Sequence, residues 1–191
     1  LILILIIIIL FPPYLNFCNS FNFTNYKNID NFNNTISRIP IFILNLEKDT
    51  ERKLHMTELC NALNFNNYKF IVPIDKKTAK ESEFYFLPPG EASHSLTMIT
   101  LLQKCVQDNI PDFIIMEDDI DLFKDNYINL NKSIQEAKKE KFDLFFLEFC
   151  ADKCYKQTKI TDNIIRLYSP WCMGSIYYTH SGAQKILNSY K

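Results

Sequence analysis

Glycine is nearly missing, with 3 residues in a chain of 191. Phosphate-binding loops of the P-loop or dinucleotide-fingerprint kind need several glycines at fixed spacing, so that backbone N–H groups can close on the phosphates. Neither pattern occurs. Any phosphate bound here must be held by side chains or by a metal ion. Surplus positive charge is missing too. Lys and Arg number 21 against 22 Asp and Glu, a formal net charge of -1, which excludes the basic footprint of a nucleic-acid-binding protein. Histidine is scarce: His55, His94 and His180 are scattered without ligand spacing. There is no internal repeat. No uninterrupted apolar run reaches the roughly 20 residues that span a bilayer.

What is present reads as one globular domain. The hydrophobic fraction is 47% and the charged fraction 23%. Leu1 to Leu10 is unbroken leucine and isoleucine, followed by Phe11-Pro12-Pro13. This resembles the apolar core of a signal peptide. Residues 1–13 are expected to be a signal peptide or a truncated signal anchor, the latter giving a membrane tether at the N-terminus. Residues 14–38, rich in Asn, Phe and Tyr, read as an irregular lead-in, and 39–191 as the folded domain. Three N-glycosylation sequons, at Asn22, Asn33 and Asn131, point to the secretory lumen or the cell exterior. So do the 6 cysteines, of which Cys150 and Cys154 can pair with each other or with Cys172. Cys60 and Cys105 fall in helical patterns and are expected to be buried thiols.

Hydrophobic periodicity gives the elements. Ile41 to Leu46, Tyr68 to Ile74, Phe113 to Met116 and Phe142 to Phe149 are short apolar runs, the mark of strands covered on both faces. Ile164 to Leu167 and Gly174 to Thr179 read as two more. A helix capped by Asp49 or Thr50 runs to about Leu63, with Leu54, Leu59 and Leu63 on its apolar side. Residues 75–89 read as a charged loop. Gly90 opens an amphipathic helix carrying Ala92, Leu96, Ile99, Leu102 and Val106, and Pro111 ends it. Residues 125–141 form a Lys-rich helix. Thr179 or Ser181 caps a last one, with Ala183, Ile186, Leu187 and Tyr190 along one side. Strands alternating with helices predict an α/β domain with a mostly parallel sheet, whose ligands sit outside the carboxyl ends of the strands.

The third strand runs straight into Glu117, Asp118, Asp119 and Asp121, four carboxylates within five positions. Clustered like charges repel and raise one another's pKa. A hard cation such as Mn²⁺ or Mg²⁺ relieves that repulsion. Alternate strand residues face one side, so Glu117 and Asp119, or Asp119 and Asp121, can point together, hold one metal and leave room for diphosphate oxygens.

Ile43-Leu44-Asn45-Leu46 with Arg52, Gly90-Glu91 opening a helix, and Ile114-Ile115-Met116-Glu117-Asp118-Asp119-Ile120 together resemble glycosyltransferase family 25. So do Gly174-Ser175-Ile176-Tyr177-Tyr178 and Gly182-Ala183-Gln184-Lys185-Ile186-Leu187. That family includes lipooligosaccharide and collagen galactosyltransferases. The resemblance implies a GT-A type fold, a UDP-sugar donor (often UDP-galactose), a glycan or protein acceptor, Mn²⁺, and inversion at the sugar. It implies that Asp119, with Glu117 or Asp121, forms the metal and donor-ribose group, with Asp118 beside it. Asn45 and Arg52 are implied to lie by the nucleotide. The chain departs from the family in two places. Thr97 and Met98 occupy the positions of its Ser-His pair, while Ser93-His94 comes one helical turn earlier. The family's later acidic residues lie beyond Lys191.

Inversion by single displacement needs a base for the acceptor hydroxyl. Glu148 and Asp152, following the fourth strand, are the candidates. Trp171 and Tyr178 are aromatic enough to stack on a sugar or base, against the ordinary alternative of core packing. Two other functions compete with transfer. One is a secreted, catalytically inactive module that keeps the fold. The other is a metal-dependent phosphoester hydrolase, for which the sequence lacks ligands for a second metal.

Overall fold

The computed structural model describes residues 4–7, 36–121, 124–148, 157–168, 170 and 174–190. Among the described residues, eight strands form one sheet: β1 (Ile4–Ile7), β2 (Ile41–Leu44), β3 (Tyr68–Ile71), β4 (Asp112–Glu117), β5 (Leu144–Phe146), β6 (Thr158–Lys159), β7 (Ile164–Arg166) and β8 (Ser175–Thr179). Their spatial order is β3-β2-β4-β8-β5-β1-β7-β6. β2 pairs in parallel with both β3 and β4, whereas β8 lies antiparallel between β4 and β5. Followed across the sheet, six of the eight strands run one way, with β7 and β8 opposed. The fold is therefore α/β with a mostly parallel sheet. Ile4–Ile7, part of the run read as a targeting segment, pairs with β5 and β7.

Among the described residues, five α-helices accompany the sheet: α1 (Thr50–Ala62), α2 (Lys76–Lys80), α3 (Pro89–Gln107), α4 (Lys124–Lys139) and α5 (His180–Ser189). Strand side chains alternate between two cores, as the pleat dictates. Ile41, Ile43, Ile114, Met116, Phe145 and Tyr177 pack on one face against Met56, Leu59 and Cys60 of α1 and Leu130, Ile134 and Ala137 of α4. Leu44, Phe113, Ile115, Phe146, Ile176 and Tyr178 pack on the other against Met98, Leu101, Leu102 and Cys105 of α3 and Ala183 and Leu187 of α5. Tyr178 is thus a core residue, stacked on Phe113 with ring centroids 5.3 Å apart. Cys60 and Cys105 are buried free thiols, one in each core, as their helical setting predicts.

Three helices end without glycine. Asn64, Asn109 and Lys141 take φ of 55°, 53° and 52° just past the ends of α1, α3 and α4. At the first two, the next residue's N–H reaches back across the last turn: Phe65 N to the Cys60 carbonyl at 2.8 Å and Ile110 N to the Cys105 carbonyl at 3.0 Å. That is the left-handed stop usually made by glycine. In a chain with three glycines, asparagine and lysine supply it.

Several expectations change. The segment 75–89 contains a helix, α2, capped by Asp75, whose carboxylate accepts from the N–H groups of Lys77 and Thr78 at 3.0 Å each. Leu54 is 59% exposed, and Met56 takes its place inside. Thr179, not Ser181, caps α5, accepting from Gly182 N at 3.0 Å. β3 stops at Ile71 rather than Ile74, and β5 spans three residues. Asn131 is 5% exposed within α4, so its sequon is not presented to a glycosylating enzyme in the folded chain. The sequons at Asn22 and Asn33, the residues Cys18, Cys150, Cys154, Cys172 and Trp171, and the candidate base Asp152 lie outside the described residues. Among the described residues, no helix is long and apolar enough to cross a membrane.

Candidate functional site

The ends of β2, β4 and β5 and the start of β8 share one edge of the sheet. At that edge Asp118 follows directly from β4 and is 7% exposed. A carboxylate so nearly buried is strongly unfavourable unless both oxygens find donors. Asn45, the first residue after β2, donates to Oδ2 from Nδ2 at 2.7 Å. Arg52, in the first turn of α1, donates to Oδ1 from Nη1 at 3.0 Å. Asn45 Nδ2 also reaches the Asp49 carbonyl at 3.1 Å, closing the turn between β2 and α1. Arg52 lies 3.4 Å from Asp119 Oδ2 as well. The hydrogen bond to Asp118, then the charges of Asp118 and Asp119, raise the guanidinium pKa further above its usual value.

Above this knot opens a cleft of about 300 Å³, the size of a small-ligand site. Arg52 of α1, Lys76 of α2, Gly90, Ser93 and His94 of α3, and Glu117, Asp118 and Asp119 after β4 line it. His94 Nδ1 stands 3.8 Å from Glu117 Oε1. Ser93 Oγ donates to the Ile74 carbonyl at 2.5 Å, tying α3 to the chain that leaves β3. Gly90 contributes bare backbone, and a Cβ there would meet nothing within 4 Å.

Glu148 follows β5 at the same edge. It keeps an exposed surface, yet packing strips part of the water from its carboxyl, and Glu117 and Asp119 add like charge. Both effects push its pKa up, desolvation more strongly. Glu148 fits against Gly174, where an added Cβ would overlap its carboxylate. Glu117 and Asp119, at the end of β4, thus act on the carboxyl that follows β5.

That arrangement suits a hard divalent cation, whose charge would relieve the repulsion. Among the described residues, no three His, Cys, Asp or Glu side chains stand close enough to form a ready-made metal cluster. A cation held by Glu117 and Asp119 would need oxygens from a ligand to complete its shell, as a diphosphate provides.

The sequence model for glycosyltransferase family 25 (LPS biosynthesis protein) matches residues 38–191. The chain belongs to glycosyltransferase family 25. No curated protein matches it. A member of this family is a glycosyltransferase, which requires a nucleotide-sugar donor and an acceptor, and the α/β architecture described above agrees with a GT-A-like domain.

Of the residues singled out in the sequence, Arg52, Glu117, Asp118 and Asp119 line the cleft. Asn45 is buried beneath it, with its amide engaged by Asp118 and the Asp49 carbonyl. Asp121 does not line the cleft; its Oδ1 is 3.2 Å from His55 Nε2, which also meets the Ile120 carbonyl at 3.2 Å. The Ser93-His94 pair, one turn earlier than the family 25 pattern, faces the cleft. Thr97 accepts from Ile74 N at 2.9 Å, and Met98 is buried in the core. The sequence reading missed Lys76. The Asp75 cap was the available signal, since a capped turn holds the next residue in a fixed direction.

Proposed function

We propose that the cleft is the donor site of a metal-dependent hexosyltransferase that moves galactose from UDP-galactose to a hydroxyl of a glycan or protein, with inversion. One observation carries this: Glu117 and Asp119, from the end of β4, share an electrostatic environment with Glu148, from the end of β5, beside a cleft of ligand size. Glu117 and Asp119 would hold the cation, which would offset the negative charge on the departing UDP. Asp118, fixed by Asn45 and Arg52, keeps the turn after β4 in one conformation. Glu148 is the proposed base. It accepts the proton of the acceptor hydroxyl while that oxygen bonds to the anomeric carbon and the bond to the diphosphate breaks. A carboxyl raised above its usual value is the better base for this step. A secretory location is proposed from the sequence alone, on Leu1 to Leu10 and the sequons at Asn22 and Asn33.

A screen of nucleotide-sugars with Mn²⁺ tests the proposal. Turnover is expected with one UDP-hexose, giving a product of opposite anomeric configuration by NMR. Asp119→Ala should lower kcat on the order of 10²- to 10³-fold without changing the thermal midpoint by more than a few degrees. If no nucleotide-sugar binds the wild-type protein, the donor-site reading is wrong. Binding without turnover would point to the inactive module.

A further inference from the structure

The basic side chains that line the cleft are not equivalent. Arg52 is neutralised in place, with its guanidinium against Asp118 at 3.0 Å and Asp119 at 3.4 Å. His94 is already turned toward Glu117. Lys76 also lines the cleft, is exposed, and has no carboxylate within ion-pair distance among the described residues. Its nearest sequence neighbour of opposite charge, Asp75, is occupied by its own cap. One oxygen of Asp75 accepts from Lys77 N and Thr78 N, and the other from the Thr78 hydroxyl at 2.5 Å. Hydrogen bonding to Thr78 also lowers the Asp75 pKa.

The placement follows from topology. β3 and β4 flank β2 on opposite sides, so the chain leaving β3 and the acidic turn leaving β4 face each other across the end of β2. The spacing of two strand intervals, about 10 Å, is one that a flexible lysine side chain and a diphosphate span together. An exposed lysine is ordinarily just solvated. This one stands on a cleft wall opposite a carboxylate group, with its own neighbouring acid turned away. Its first residue of α2 is fixed by the Asp75 cap, while the side chain beyond it stays free to move.

We propose that Lys76 is the phosphate-binding cation of this site, contributing a mobile positive charge that meets the phosphates of a nucleoside diphosphate from the side opposite Glu117 and Asp119. The proposal rests on the donor-site reading above. Lys76 is a binding residue here. It takes no proton and forms no covalent bond.

Equilibrium binding of UDP and of uridine, by calorimetry with Mn²⁺, tests it on the full chain. The proteins are wild type, Lys76→Gln, Lys76→Arg, and Lys77→Gln as an exposed control outside the cleft lining. The expected result is a loss of UDP affinity on the order of ten- to a hundred-fold in Lys76→Gln, the range for a charge-assisted hydrogen bond. Uridine affinity should be unchanged, Lys76→Arg should recover most of the loss, and Lys77→Gln should match wild type. If Lys76→Gln binds UDP as tightly as Lys77→Gln does, Lys76 has no such role, although the donor site stands. If UDP and uridine weaken together, Lys76 holds the nucleoside and the assignment to phosphate is overturned. If UDP fails to bind wild type at all, the donor-site reading fails, and this inference with it.

Discussion

Asp118 sits where three chain segments meet, and its neighbours decide whether it can stay there. Asn45 and Arg52 each satisfy one oxygen. Removing the amide leaves one oxygen of a nearly buried carboxylate unpaired. Asn45→Ala should therefore lower the unfolding free energy by about 2 kcal/mol, seen as a lower urea midpoint with an unchanged slope. Glu148 works in the opposite direction. Its folded pKa lies above the ordinary 4.5, so the folded chain binds this proton more tightly than the unfolded chain does. The associated stability is complete below 4.5 and is lost as pH rises through the raised folded value. Glu148→Gln should thus melt above wild type at pH 7 in metal-free buffer, with the difference shrinking as pH falls through the raised folded value and gone below 4.5. An equal gain at every pH would mean that repulsion and desolvation are not the cause. The acids after β4 were only partly legible in the sequence. Glu117, Asp118 and Asp119 stand out because adjacent like charges after an apolar strand demand an explanation. That Asp118 would be held by residues 66 and 73 positions away was not written in any local pattern. Asp121 looked equivalent to Asp119 by alternation, but the chain leaves β4 after Glu117 and turns, so the two-residue period no longer applies.

Element ends are the next level at which sequence and structure can be compared. The long amphipathic α3 and the buried strands were readable because each has a clear period or an unbroken apolar run. α1 was readable as a helix but not in its inward face. Met56, Leu59, Cys60 and Leu63 follow the i, i+3, i+4, i+7 rule and are buried, a series that leaves out Leu54. α2 escaped notice because five residues are too few to show a period. The helix ends also yield two opposed predictions. Lys141 holds a φ of 52° that glycine adopts freely, so Lys141→Gly should add about 0.5–1 kcal/mol of stability in urea unfolding. Gly182 in α5 has no room for a methyl group, because a Cβ would overlap the Asp143 carbonyl. Gly182→Ala should lower stability by about 1–3 kcal/mol, through a forced shift of α5 away from the chain before β5.

Across the molecule, each sheet face carries its own core and its own buried thiol. Burial pushes the pKa of both Cys60 and Cys105 up to about 12. In native buffer both should resist alkylation at pH 8 for as long as the fold lasts. Peptide mapping after alkylation across a urea series should show both thiols labelling at one midpoint if the two faces unfold together. Labelling of Cys60 well before Cys105 would mean that the α1–α4 side opens alone. The overall class was legible from alternating strands and helices, but the order of strands was not, because β8 enters between two strands made before it.

That insertion matters while the protein is being synthesised. Until Ser175–Thr179 emerges from the ribosome, β4 and β5 each present a bare, apolar edge with no backbone partner on that side. Between the synthesis of β5 and that of β8 the nascent chain thus carries two sticky half-sheets, a state that favours contact with other chains. A single late strand closes the seam. A ribosome that stalls shortly before it would release a polypeptide with most of its core side chains and no way to lock them.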